Sequence, residues 1–137
     1  MIWTGSHFKN YPGMTRCSVS RRDPKGRPVD MRIAELNPTG FMLSKSCDEE
    51  TYRAGYAKIL QRAEETGVLV RLIERAKSQD IVLLCWEHDD HNCHRRMIAD
   101  WLREKHGMDV RECSPNAAVR KENQREAVTS DRELDFS

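Results

Sequence analysis

The chain predicts an α/β fold: a small single domain whose mostly parallel sheet is flanked by helices, Rossmann-like in outline. Three observations carry this expectation. Residues 80–87, "DIVLLCWE", form a continuous apolar run of the kind found in strands buried on both faces of a parallel sheet. Strand-like runs alternate with stretches of helical period, which is the pattern of β-α units. A length of 137 residues suits one core and leaves little room for a second.

The elements follow in order. Residues 2–6, "IWTGS", read as a short strand because β-formers give way to Gly and Ser. Residues 16–20, "RCSVS", read as a second strand, after which "DPKGRP" breaks regular structure. From 29 to 45 no period is sustained, and Pro38 and Gly40 punctuate an ordered loop with room for a helical turn. A helix begins near Asp48, a suitable N-cap, with Glu49 and Glu50 at the positive end of its dipole. Tyr52, Tyr56, Ile59, Leu60 and Ala63 give it one apolar stripe to lay on the sheet. Gly67 ends or kinks it, and Leu69, Leu72, Ile73 and Ala76 continue with helical spacing. After the 80–87 strand comes the clearest helix, residues 93–107, with Lys105 and His106 before a terminating Gly107. Residues 108–113, "MDVREC", form a last strand. The α/β domain is thus expected over 1–114, and the polar, mixed-charge stretch 115–137 is expected to be a flexible tail.

Composition excludes several classes. No stretch approaches the roughly 18 consecutive apolar residues of a membrane span. "MIWTGSHFKN" lacks a long apolar core behind a basic start, so no signal peptide is expected and the cytoplasm is the expected location. Five cysteines, an odd number, argue for reduced thiols and against a secreted disulfide scaffold. Lys and Arg number 23 against 22 Asp and Glu, so bulk charge does not mark a nucleic-acid binder and only a local patch can. The best such patch is "SRRDPKGR", residues 20–27, although its Gly, Pro and Asp read first as a solvated turn. Nothing in the sequence bears on oligomeric state.

The chemistry concentrates in "LLCWEHDDHNCHRR", residues 83–96. Strand alternation puts Cys85 and Glu87 on one face, at the carboxyl end of the central strand, where open α/β sheets hold their ligands. With Met97, Ile98, Trp101 and Leu102 as the buried face of the next helix, the 100° step places His94 near its centre and Arg95 on its flank, and turns Arg96 to solvent. Asp90 or Asn92 can cap that helix, which leaves Cys93, His94 and Arg95 beside unpaired backbone N–H groups. A helix start binds anions and lowers the pKa of a nearby thiol. Cys93 is therefore the candidate nucleophile, Arg95 the candidate anion holder and Glu87 the candidate acid or base. An Arg in a first turn opposes the dipole, so an anion is expected against it, either Glu87 or a ligand. Three other readings stand beside this one. Cys85 can be an inert buried residue, and His94 and Arg95 can fasten helix to sheet. Cys85, His88 and Cys93 can instead bind zinc, with His91 and His94 as further donors.

At these residues the chain resembles the domain of unknown function 488 family, found in bacteria and their phages. The resemblance rests on "VLLCWEHDDHNCHRRMIADWL": an apolar strand, Cys-x-Glu, a short loop, Cys-His-Arg, and a helix with a Trp-Leu pair. Looser matches lie at Thr4 and Gly5, in "VSRRDP", in the Pro38 loop leading to Lys45, and at Tyr52 with Tyr56. Carried over, the signature positions are Cys85, Glu87, Cys93, His94 and Arg95, with His88 and His91 as loop variation. The resemblance implies a compact α/β domain and names no reaction.

The expected function is that of a small α/β hydrolase or transferase acting on a phosphate-bearing substrate, a nucleotide or nucleic-acid component. Cys93, Glu87 and His94 would be catalytic. Arg95, Cys85, Thr4, Ser6 and His7 would bind the ligand, the last three closing its far wall. The alternatives are a module that sequesters a nucleotide signal without turnover, and a structural or interaction protein, zinc-binding in one version.

Overall fold

In the computed structural model, residues 1–44, 46–86 and 94–112 are described. Five strands, β1 (Ile2–Ser6), β2 (Thr15–Ser18), β3 (Met31–Arg32), β4 (Ile81–Cys85) and β5 (Val110–Glu112), form one sheet in the order β3-β2-β4-β1-β5. Every pairing is parallel. The helices are α1 (Glu49–Glu65), α2 (Val68–Ala76) and α3 (His94–His106). This is an α/β fold of the kind the sequence predicts.

The central position of β4 explains its composition. It pairs with β1 on one side and β2 on the other, and all five of its residues are buried. Ile81 and Leu83 join Ile2, Cys17 and Val19 in the main core, against Leu60 of α1, Leu69 and Leu72 of α2, and Ile98 and Leu102 of α3. Val82 and Leu84 turn the other way and pack with Tyr11, Trp3, Met14 and Val29. The three helices thus share one face of the sheet, and on the opposite face the described cover is loop, chiefly the 7–14 connection that carries Tyr11. Burial on both faces was the reading of the apolar run; loop replaces helix on the second face.

Local signals account for the helices. The Asp48 side chain accepts from the Thr51 N–H at 2.7 Å and starts α1, while Tyr56, Leu60 and Ala63 are its buried stripe. Gly67 has φ 83° and lets α2 begin directly behind α1. The second strand ends at Ser18, two residues short of the expected stretch, and the 29–45 region expected as loop holds β3 and two single 3-10 turns, Ala34–Leu36 and Phe41–Leu43. Two residues are too few for a periodic signal, so β3 is set by its parallel pairing with β2, not by local pattern.

Gly5 is required by a close approach. A Cβ there would lie 2.5 Å from the Tyr11 hydroxyl oxygen, and that hydroxyl accepts from the Ser6 N–H at 2.8 Å. Both Tyr11 and the sheet are buried, so neither can give way cheaply. Gly5→Ala is expected to destabilise the fold by about 1–3 kcal/mol, the usual range for overpacking a core. A urea midpoint equal to that of the parent chain would contradict this.

Candidate functional site

The carboxyl edge of the sheet holds an open cleft of about 780 Å³. Ser20, Arg21 and Arg22, which follow β2, form one wall, with Trp86 after β4 and His94 at the start of α3 beside them. Pro38, Gly40, Met42 and Leu43, with Tyr52 from α1, complete the lining, and a Cβ on Gly40 would lie 3.7 Å from the Arg21 guanidinium. Ligands of open α/β sheets bind outside the carboxyl ends of the strands, and the volume falls within the range of about 300–1,000 Å³ typical of small-molecule sites. Trp86 is 44% exposed, and its indole N–H donates to the Arg22 carbonyl at 2.6 Å, which fixes the ring beside the two exposed arginines. Its other neighbour is Phe8, edge to face at 5.6 Å.

The first two residues of α3 hold the helix on the sheet. His94 is buried and its Nε2 lies 2.9 Å from the Val19 carbonyl oxygen. A carbonyl only accepts, so Nε2 carries the hydrogen. The ring also packs against Tyr56, centroid to centroid at 5.3 Å. Arg95 is fully buried. Its Nη1 donates to the Gly5 carbonyl, and its Nη2 lies 3.2 Å from Glu112 Oε2 in β5. The other oxygen of that carboxylate accepts from the Thr4 hydroxyl at 2.6 Å. Helical phase gives the right burial for both residues and for the exposed Arg96. It does not show that Arg95 turns toward β1 and β5, away from the cleft wall.

Behind the wall sits a second polar group. His7 is fully buried, and its Nε2 is 3.0 Å from the Ser20 hydroxyl, which itself donates to the Leu84 carbonyl at 3.3 Å. Burial lowers the His7 pKa to about 4, with Asp23 opposing the shift at 3.9 Å. The imidazole is thus neutral near pH 7, and its Nδ1 has no hydrogen-bond partner among the described residues. Burial also works against the charge on Asp23, but hydrogen bonds from Ser18 at 2.5 Å and Arg32 at 2.7 Å outweigh it and hold the carboxyl below its usual range.

The expected site residues divide accordingly. His94 lines the cleft. Arg95 and Thr4 meet at Glu112, Ser6 is buried with its hydroxyl accepting from the Phe8 N–H at 3.2 Å, and His7 reaches the cleft only through Ser20. Thr4, Ser6 and His7, the expected far wall, are buried and lie outside the described lining of this cleft, which Tyr52 and the 38–43 stretch share with the residues named above. Cys85 is buried at the end of β4. Cys17 is also buried, which pushes its thiol up to about 12 and leaves it inert near pH 7. Glu87, His88, His91 and Cys93 lie outside the described residues, as do Lys45, the helix caps Asp90 and Asn92, and the tail 115–137. Trp86 and His94, which flank 87–93 in sequence, both line the cleft. Among the described residues no group of three or more His, Cys, Asp or Glu side chains is arranged to hold a metal, and no helix is long and apolar enough to cross a membrane. Of the cleft's lining residues sequence reasoning assigned only His94 to a site, and Arg21, Arg22, Tyr52 and Trp86 are the charged and aromatic ones it passed over. The basic run at 20–27 was the available signal, and it read first as a solvated turn.

Two outcomes test this arrangement. Arg95→Met is expected to lower stability by about 2–3 kcal/mol, short of the 3–5 kcal/mol lost at a fully buried pair because Glu112 is partly exposed. Glu112→Gln leaves the buried guanidinium without its carboxylate and should cost at least as much, with the double variant costing less than the sum; strictly additive urea midpoints would show that the two side chains do not interact. His7 gives a pH test. An unfolded His titrates near 6.5 and the folded one near 4, so the unfolded chain binds the proton first and stability falls as pH drops through that window. His7→Gln removes this contribution, so its urea midpoint should fall less steeply than that of the parent chain between pH 6.5 and 4.

A family model described as "Active DUF488-N3 subclade" matches residues 3–106. No curated protein and no solved structure matches the chain. The matched span runs from within β1 to the last residue of α3 and includes every residue that lines the cleft. The chain belongs to the DUF488-N3a subclade of the domain of unknown function 488 family.

Proposed function

We propose that this chain is a small enzyme acting on a phosphate-bearing substrate, a nucleotide or nucleic-acid component, bound in the cleft at the carboxyl edge of the sheet. The observation that carries the reading is the joining of two exposed arginines, Arg21 and Arg22, with an exposed indole and a tyrosine ring in one cleft beside the start of α3. Guanidinium groups suit phosphate oxygens, and aromatic faces suit a base. Arg21 and Arg22 take the anion-holding part, and Arg95 serves as the buried tie that sets the α3 start.

Cys93, the residue before His94 in the sequence, supplies the nucleophile, since a thiol near a helix start is favoured as the thiolate. Glu87, next to the cleft residue Trp86, is the acid or base. His94 orients the group at the helix start. The word "active" in the subclade description supports turnover over simple sequestration.

The direct test is incubation of the protein with a panel of nucleotides and a short oligonucleotide, followed by mass analysis of the small molecules. Conversion of one of them is expected, falling by at least about 100-fold in Cys93→Ser and Glu87→Gln, in line with the loss of a nucleophile or an acid-base group. Arg21→Ala with Arg22→Ala should weaken substrate binding with little change in fold. Full activity in folded Cys93→Ser and Glu87→Gln variants would sink the catalytic assignment. Tight binding with unaltered ligand recovered would replace it with sequestration.

A further inference from the structure

A second cleft, of about 470 Å³, lies between the start of α1 and the first turns of α3. Tyr52 lines both clefts, so the two meet at its ring. Tyr52 is half-buried and stacks on Tyr56 at 6.2 Å, which holds it as a firm partition. The second cleft contains charges of both signs, but most are already engaged. Asp48 caps α1 through the Thr51 N–H, Glu49 pairs with Arg53 at 3.0 Å, and Asp100 pairs with Arg103 at 3.0 Å. Arg96 is exposed, lines this cleft, and has no ion-pair partner among the described residues. It sits one turn-face away from the buried Arg95, on the side of α3 that helical phase turns outward.

We propose that the two clefts form one binding surface for a dinucleotide unit, with one phosphate held at Arg21 and Arg22, a base on the Tyr52 ring, and a second anionic group at Arg96. This rests on the reading of the first cleft as a nucleotide site and extends it to the substrate class. A mononucleotide reaches one end only. Near-zero net charge agrees with a short ligand, since long polyanions need a broad basic face, and the arginines offered to it here are Arg21 and Arg22 in one cleft and Arg96 in the other. Free dinucleotides and a nucleic-acid strand share this chemistry.

Adenosine monophosphate, the 5′-phosphorylated dinucleotide pApA and a six-residue oligoadenylate serve as probes in competition or anisotropy titrations with the full chain. The expected result is pApA binding about 10-fold or more tighter than the mononucleotide. Arg96→Ala should remove that advantage, and Arg96→Glu should reverse it. The slope of log affinity against log salt for pApA should become shallower by about 0.7 in Arg96→Ala, the value for one phosphate contact in a single strand. Further tightening with the oligoadenylate identifies a strand as the source, and equal affinity identifies a free dinucleotide. If the mononucleotide binds in an Arg21- and Arg22-dependent way but pApA binds no tighter, or Arg96→Ala leaves pApA unaffected, the inference is overturned and the first cleft stands. If neither probe binds, the nucleotide reading of the first cleft fails and takes this inference with it. Arg96 is exposed, so its variants are expected to fold, and circular dichroism checks that they do.

Discussion

The guanidinium of Arg95 is the constraint on which the carboxyl edge depends. A fully buried cation loses several kcal/mol of hydration, and persists only where acceptors in the protein offset that loss. Among the described residues the offset comes from a backbone carbonyl of β1 and a carboxylate of β5, and the guanidinium reaches both only when α3, β1 and β5 are in register. His94, the preceding residue, reaches in the opposite direction to the carbonyl of Val19, just beyond β2. Two consecutive side chains thus straddle the end of β4 and grip the strands on either side of it. The start of α3 is located by this clamp, and with it one wall of the cleft.

The clamp also sorts the positive charges of the motif. Arg95 and Arg96 are adjacent in sequence, yet one is buried in the sheet junction and the other stands in solvent at the second cleft. A 100° step separates them, and that rotation is enough to give one a structural partner and leave the other available. The same division applies beyond β2, where Arg32 neutralises Asp23 while Arg21 and Arg22 face the cleft. Chemistry at this edge therefore comes from side chains that the fold does not consume.

Much of the fold was legible because its signals are local. The apolar run of β4, the Asp48 cap, the stripe of α1 and the phase of α3 each depend on residues a few positions apart, and each appears where expected. The two-residue β3 was not legible, since its existence depends on pairing with β2 across the chain. The site was legible in part. Phase gave the burial of His94 and Arg95 correctly, but an inward direction does not name a partner: Glu112, seventeen positions along, meets Arg95 across the sheet, a contact that no local pattern announces, while Glu87 lies outside the described residues. Arg21 and Arg22 were undervalued for the same reason. A turn rich in Gly, Pro and charge looks solvated until the 38–43 stretch and the α3 start are brought alongside it.

Burial of His7 adds the last step. A protonated imidazole there would place a second buried cation behind the cleft wall, with only the Asp23 carboxylate near it at 3.9 Å, and that carboxylate is already engaged by Arg32. Burial keeps the ring neutral down to about pH 4, and because the Ser20 hydroxyl, which lines the cleft, donates to Leu84, it accepts from Nε2. Among the described residues the buried layer behind the wall thus carries one cation, Arg95, paired with Glu112. The field inside the cleft is left to exposed arginines, which lose little hydration before a ligand arrives and strengthen against it as water leaves. The proposed anion site would keep its affinity out of the folding balance, because the arginines assigned to the ligand are not the groups that hold the sheet together.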